Sequence, residues 1–121
     1  MGAKVTIKSY QKFAKKKWKP GMDLITCLLG LGGETGEVLD CFKKARRDED
    51  FVNKEHAIEE IGDVFWYLFN LCSILDLDVE QVLEANIKKL QERYKGYRVL
   101  KYIDGTSAQV PGWRRRSVRR R

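Results

Sequence analysis

Two prolines, three cysteines and one histidine are all that the 121 residues hold of those types. Cys27, Cys41 and Cys72 lie far apart without a C-x-x-C, which excludes a disulfide framework and a zinc site and leaves buried free thiols as the reading. His56 has no Glu-x-x-His beside it, so a di-iron carboxylate bundle, which places that motif on two helices, is excluded as well; His56 reads as an exposed residue at a helix start. Long apolar runs are missing too. The longest, Val64 to Phe69, stops at Asn70, far short of the roughly 18 residues that a membrane span needs. No secretory signal pattern and no repeat at a solenoid period is present. These absences predict a soluble, cytoplasmic protein with no membrane partner, and 43% hydrophobic with 34% charged residues is a composition that folds rather than staying disordered.

Acid is absent from the first twenty residues, which carry seven lysines, and Arg114 to Arg121 carries six arginines. The formal net charge of +7 therefore lives at the two ends, and the middle is net acidic. Such ends read as solvated arms that attract polyanions. For the tail from Trp113 onward two readings stay open, a disordered solubilising extension or a nucleic-acid contact, because arginine runs bind phosphates without reading sequence.

What the chain does have is helical periodicity, with apolar residues recurring at three and four spacing and no convincing period-two alternation outside Tyr97 to Ile103. The predicted class is all-α. A first helix covers about 6–18, with Thr6 or Ser9 as N-cap and Pro20-Gly21 beyond its end. The second covers about 22–47, with Leu24, Leu28, Leu31, Val38 and Phe42 on its apolar face and Arg46 and Arg47 suiting its negative C-terminal end. Gly30, Gly32, Gly33 and Gly36 weaken it, each by up to about 1 kcal/mol against alanine, so their cluster predicts a close approach by another backbone, a ligand or a metal. A third helix covers about 54–75, capped by Asn53, and a fourth about 78–95, where Asp78 and Gln81 form a capping-box pattern and Gly96 fits a terminator. Residues 1–96 are thus predicted as one domain, with 97–121 an extension that is basic, and disordered from 113 on the first of the two tail readings.

Glu34 and Glu37 sit three apart on the second helix, and Glu60 and Asp63 three apart on the third. Residues at that spacing are surface neighbours, and like charges there repel unless a cation neutralises them. A short loop makes the two helices antiparallel neighbours. Descending from Glu37 to Arg47 covers about 15 Å, and climbing from Asn53 to Glu60 and Asp63 about 10 to 15 Å. All four carboxylates therefore reach similar height, and hard oxygen donors suit Mg²⁺ or Mn²⁺. The bland alternative is a solvated acidic face. Against it, Glu60 and Asp63 lie in a segment apolar on nearly all sides, and Glu34 and Glu37 lie in the glycine cluster.

Cationic and aromatic candidates fall on related faces. Lys44 is two turns beyond Glu37, and Asn86, Lys89 and Arg93 form a stripe at i, i+3 and i+7. Tyr67 follows Asp63 by four residues and reads either as a substrate contact or as core; Trp18 reads either as a platform for a base or as a tryptophan closing the end of the bundle.

The stretches Gly33-Glu-Thr-Gly-Glu-Val38, Glu59-Glu-Ile-Gly-Asp-Val-Phe-Trp-Tyr-Leu68 and Ala85-Asn-Ile-Lys-Lys-Leu-Gln-Glu-Arg-Tyr94 together resemble the MazG-like all-α nucleoside triphosphate pyrophosphohydrolases, over about Tyr10 to Gly96. The resemblance implies a four-helix-bundle-like fold assembled as a homo-oligomer, a dimer or tetramer. It implies Mg²⁺, with Mn²⁺ as a substitute, on Glu34, Glu37, Glu60 and Asp63, and a water attacking the α-phosphorus of a nucleoside triphosphate to release pyrophosphate and a monophosphate. It favours Asn86 and Lys89 as phosphate contacts, whereas Lys44 lies outside the matched motif. Within the acidic set Glu37 is the first candidate to take the water's proton. The expected substrate is a dNTP or a noncanonical NTP, with a specialised nucleotide such as phosphoribosyl-ATP as a related one. The competing reading is a nonenzymatic helical module that binds nucleic acid through its basic ends.

Overall fold

The computed structural model describes residues 3–95. Within them the chain forms four helices, α1 (Ile7–Lys17), α2 (Leu24–Arg47), α3 (Lys54–Ile74) and α4 (Val79–Arg93), and no strand. The predicted bounds hold to within two residues. The expectations that fall at Gly96, Tyr97 to Ile103 and the arginine-rich tail lie outside the described residues.

Each helix starts on a side chain that satisfies an orphan backbone donor. Thr6 caps α1 in a reciprocal box with Ser9, in which the Ser9 amide donates to Thr6 Oγ1 at 3.0 Å and the Thr6 amide to Ser9 Oγ at 2.8 Å. Asp23 caps α2 by accepting from the Thr26 amide at 2.8 Å, which is why that helix begins at Leu24 rather than Met22. Asn53 caps α3, accepting from the His56 amide at 3.1 Å. Asp78 caps α4, though it accepts from the Glu80 amide at 3.1 Å rather than from Gln81 as the box pattern anticipated.

Small side chains carry the tightest packing. Ala14, Cys27 and Ala57 are buried completely or nearly so, with Cys41, Ala45 and Val79 close behind, so the helices approach one another closely where those residues meet. The α2–α3 hairpin is the most extensive pair, α1 lies on α3, and α4 is held against α1. Aromatic edges fasten α1 to α3: Tyr10 meets Phe69 at 4.9 Å between ring centroids, and Phe13 meets Trp66 at 6.2 Å, both T-shaped. Buried Asn70 turns its amide to the Trp66 carbonyl at 3.1 Å, one turn back in α3. Gln11 ties α1 to the α3–α4 turn at three points, donating to Ser73 Oγ and the Leu77 carbonyl and accepting from the Val79 amide.

The three cysteines are free thiols, two buried and Cys72 half-buried. No helix among the described residues is long and apolar enough to cross a membrane.

The glycine cluster splits in two. A Cβ on Gly30 would collide with the ring of Tyr67, so the close approach anticipated there is made by a side chain of α3. Gly32, Gly33 and Gly36 have nothing within 4 Å of such a Cβ. Opposite signs are therefore expected from two alanine substitutions in urea unfolding. Gly30→Ala should lower stability by about 1 to 3 kcal/mol through overpacking, and Gly32→Ala should raise it by about 0.5 to 1 kcal/mol through helix propensity.

Candidate metal centre and active site

The seam between α2 and α3 brings together one carboxylate oxygen each from Glu34, Glu60 and Asp63, all within 4.8 Å of one another. The antiparallel hairpin sets their height, and the packing of Tyr67 onto Gly30, one turn from Glu34, sets the rotation of the two helices. Glu34 and Glu60 are half-buried and Asp63 is exposed. Glu37 is exposed, stands outside this trio, and acts on Glu34 through its charge.

Burial pushes the Glu34 carboxyl above the ordinary carboxylate range, followed by its hydrogen bond with Glu60 and by the charges of Asp63, Glu60 and Glu37. The charges acting on Glu34 all come from α2 and α3 and all are negative. A bound cation would relieve this repulsion. Three hard oxygen donors from two rigid helices fit a small divalent cation such as Mg²⁺.

Three neighbours carry no signal that local spacing reveals. Tyr10 reaches the site across α1, where burial raises its hydroxyl's pKa and the Asp63 charge raises it further. His56 is half-buried rather than exposed, with Nε2 at 3.4 Å from Glu60 Oε1 and Nδ1 at 3.9 Å from Glu59 Oε2. Its i, i+4 relation to Glu60 is the one trace in the sequence. Asp40 takes both Lys43 and Lys44 at 2.9 Å, and those two ammonium groups hold its carboxyl at about 2.

Lys44 is thus engaged on its own helix with Asp40, while still feeling the charge of Glu37. Tyr67 is half-buried, its ring on Gly30 and edge-on to Trp18 at 6.1 Å. Trp18 is half-buried as well, and its Nε1 donates to the Met22 carbonyl at 2.9 Å, which pins it at the α1–α2 turn. Asn86, Lys89 and Arg93 are exposed on α4, whose extensive packing is on α1 and not on α2. A single chain therefore brings together three of the four acids and leaves the α4 stripe on a separate element.

Because the folded-state pKa of Glu34 is raised, its proton stabilises the metal-free fold at low pH, and that contribution is lost as pH climbs through the raised value. In EDTA the melting temperature should fall more, as pH rises from the ordinary glutamate range toward neutrality, for the wild type than for Glu34→Gln, which keeps the neutral shape. Adding Mg²⁺ at neutral pH should raise the wild-type melting temperature more than that of the variant. Parallel curves for the two proteins would contradict this.

Comparison with known proteins takes up the same elements. Residues 23–97 match the MazG nucleotide pyrophosphohydrolase domain, a stretch that opens on the N-cap of α2 and contains all four acids and the whole α4 stripe. The chain is also 39% identical over 77 residues to the Gene 37 protein of Mycobacterium phage L5, an alignment that covers 60% of this chain and 66% of that protein. Since the domain match takes in more than half of the chain, including both helices that form the carboxylate trio, the chain belongs to the MazG nucleotide pyrophosphohydrolase domain family.

Proposed function

We propose that this chain is a Mg²⁺-dependent nucleotide pyrophosphohydrolase that hydrolyses a dNTP or a noncanonical NTP to the monophosphate and pyrophosphate, clearing the cytoplasmic nucleotide pool. The convergence of Glu34, Glu60 and Asp63 within 4.8 Å is the observation that carries the reading. Bound there, Mg²⁺ would screen the triphosphate, polarise its phosphoryl oxygens and lower the pKa of the attacking water. On this reading Glu37, exposed and outside the trio, accepts that water's proton. Tyr67, one turn from Asp63, supplies a half-buried hydroxyl-bearing ring at the edge of the site, and Trp18 closes that edge.

Among the described residues the seam has no free phosphate-binding cation of its own chain, since Lys44 is turned to Asp40 and the stripe of Asn86, Lys89 and Arg93 rides on α4. Self-association supplies them on this reading. Ile25, Leu29, Leu39, Ile58, Phe65 and Ile87 are all more than half exposed, an amount of bare apolar surface that a homo-oligomer, dimer or tetramer, would cover. Asn86 and Lys89 of one copy then face the acids of another.

The direct test is incubation of the purified protein with each dNTP and Mg²⁺, scoring monophosphate and pyrophosphate. Glu60→Ala should lose at least the roughly 100-fold that removing even a supporting group from a metal site costs. If no nucleotide were turned over, the reading would fail. Lys89→Ala should raise KM far more than Lys43→Ala does. Mixing inactive Glu60→Ala with inactive Asn86→Ala subunits should restore part of the activity, because mixed oligomers regain intact sites; no recovery would place Asn86 and the acids of one site in the same chain.

A further inference from the structure

Outside the acidic seam, the outer side of α1 carries a row of exposed lysines. Taking buried Ala14 as the inward direction, the turn of about 100° per residue directs Tyr10 and Trp18 inward. The same turn sends Lys8, Lys12, Lys15 and Lys16 outward together. All four lysines are exposed, and α1 contains no acidic residue. Lys8, Lys12 and Lys16 succeed one another every four residues, about 6 Å along the axis, a spacing at which like charges oppose the helix that carries them.

Counter-charge reaches one end of this ridge. Lys8 Nζ lies 3.6 Å from Glu80 Oε2, and among the described residues it is the one lysine of the four in an ion pair. The cleft of about 410 Å³ between α1 and the α3–α4 turn is lined by Lys8, Lys12 and Lys15 together with Asp76 and Asp78, though among the described residues neither acid forms an ion pair with Lys12 or Lys15. Toward the C-terminal end, Lys12, Lys15 and Lys16 have no such partner among the described residues, and Lys19 continues the exposed positive charge just past the helix. The inward face, through Tyr10, is the one that feels Asp63, so the ridge points away from the acidic site.

We infer that the outer face of α1 from Lys12 to Lys16 is a docking surface for the phosphate backbone of nucleic acid. A row of ammonium groups on an open helix face encloses no single phosphate, but it matches a ligand that repeats its charge, and it reads no bases. Lys8 is the ridge lysine held in an ion pair, so Lys12, Lys15 and Lys16 supply the ammonium groups for the contact. The six arginines between Arg114 and Arg121 carry the same sign and add to the long-range attraction.

Salt-dependent binding of the full chain to a labelled DNA duplex of about 20 base pairs, followed by fluorescence anisotropy, tests this. Each phosphate neutralised contributes about 0.9 to the slope of log K against log salt. The triple variant Lys12→Gln, Lys15→Gln, Lys16→Gln should therefore reduce the slope by about 3, with circular dichroism and melting temperature unchanged. Lys8→Gln should leave the slope nearly as it was. The inference is overturned if the folded triple variant keeps the wild-type slope, which would assign binding to the arginines. It is equally overturned if the wild type fails to bind DNA at low salt, whether or not heparin binds.

Discussion

Mutual repulsion among Glu34, Glu60 and Asp63 is the constraint around which the rest of this structure is arranged. Three carboxylate oxygens within 4.8 Å would drive α2 and α3 apart if nothing else joined them, and their charges add to the burial and the Glu60 hydrogen bond that raise the pKa of Glu34. The hairpin withstands it because the seam is closed on both sides of the acids. Tyr67 packs on Gly30 and the Cys27 thiol donates to the Tyr67 carbonyl at 3.4 Å on one side, and Cys41, Ala45 and Ala57 are buried on the other. Small residues at those points allow the helix backbones to come close, and closeness is what forces the carboxylates together.

Much of this arrangement is written in local spacing. The caps Thr6, Asn53 and Asp78, the i, i+3 acid pairs and the short connection between α2 and α3 are all readable as patterns, and they yield the helices and the height at which the acids meet. Rotation is another matter. Whether Glu34 or Glu37 faces α3 depends on a difference of about 60° around the helix axis, and the packing of Tyr67 on Gly30, residues 37 apart in sequence, decides it. The same limit hides Tyr10, which meets the field of Asp63 through contacts made 53 residues away. Lys44 shows the limit in reverse: its face was readable, but Asp40, one turn earlier, captures it.

The glycine cluster illustrates how one pattern can have two causes. Gly30 is required by a side chain of the same chain, whereas Gly32, Gly33 and Gly36 border open space in it. Glycines cost helix stability wherever they sit, and these three have no packing reason among the described residues; on the proposed function they would leave that side of α2 open to a ligand or a second chain. The exposed apolar side chains of the same helix, Ile25, Leu29 and Leu39, favour the second chain at its two ends.

That division explains why α4 looks incomplete. Gln11 anchors only its first turn, through the Val79 amide and the carbonyl of Leu77, and Val82, Leu83 and Ile87 remain exposed beyond it. On the proposed function, association would cover those apolar residues while leaving Asn86 and Lys89 to meet phosphate. Burying that apolar face would fix the stripe's position relative to the acids, so the same contact that stabilises α4 would also assemble the site. The basic outer face of α1 follows the opposite logic: its exposed lysines favour water over apolar contact, so it stays on the surface.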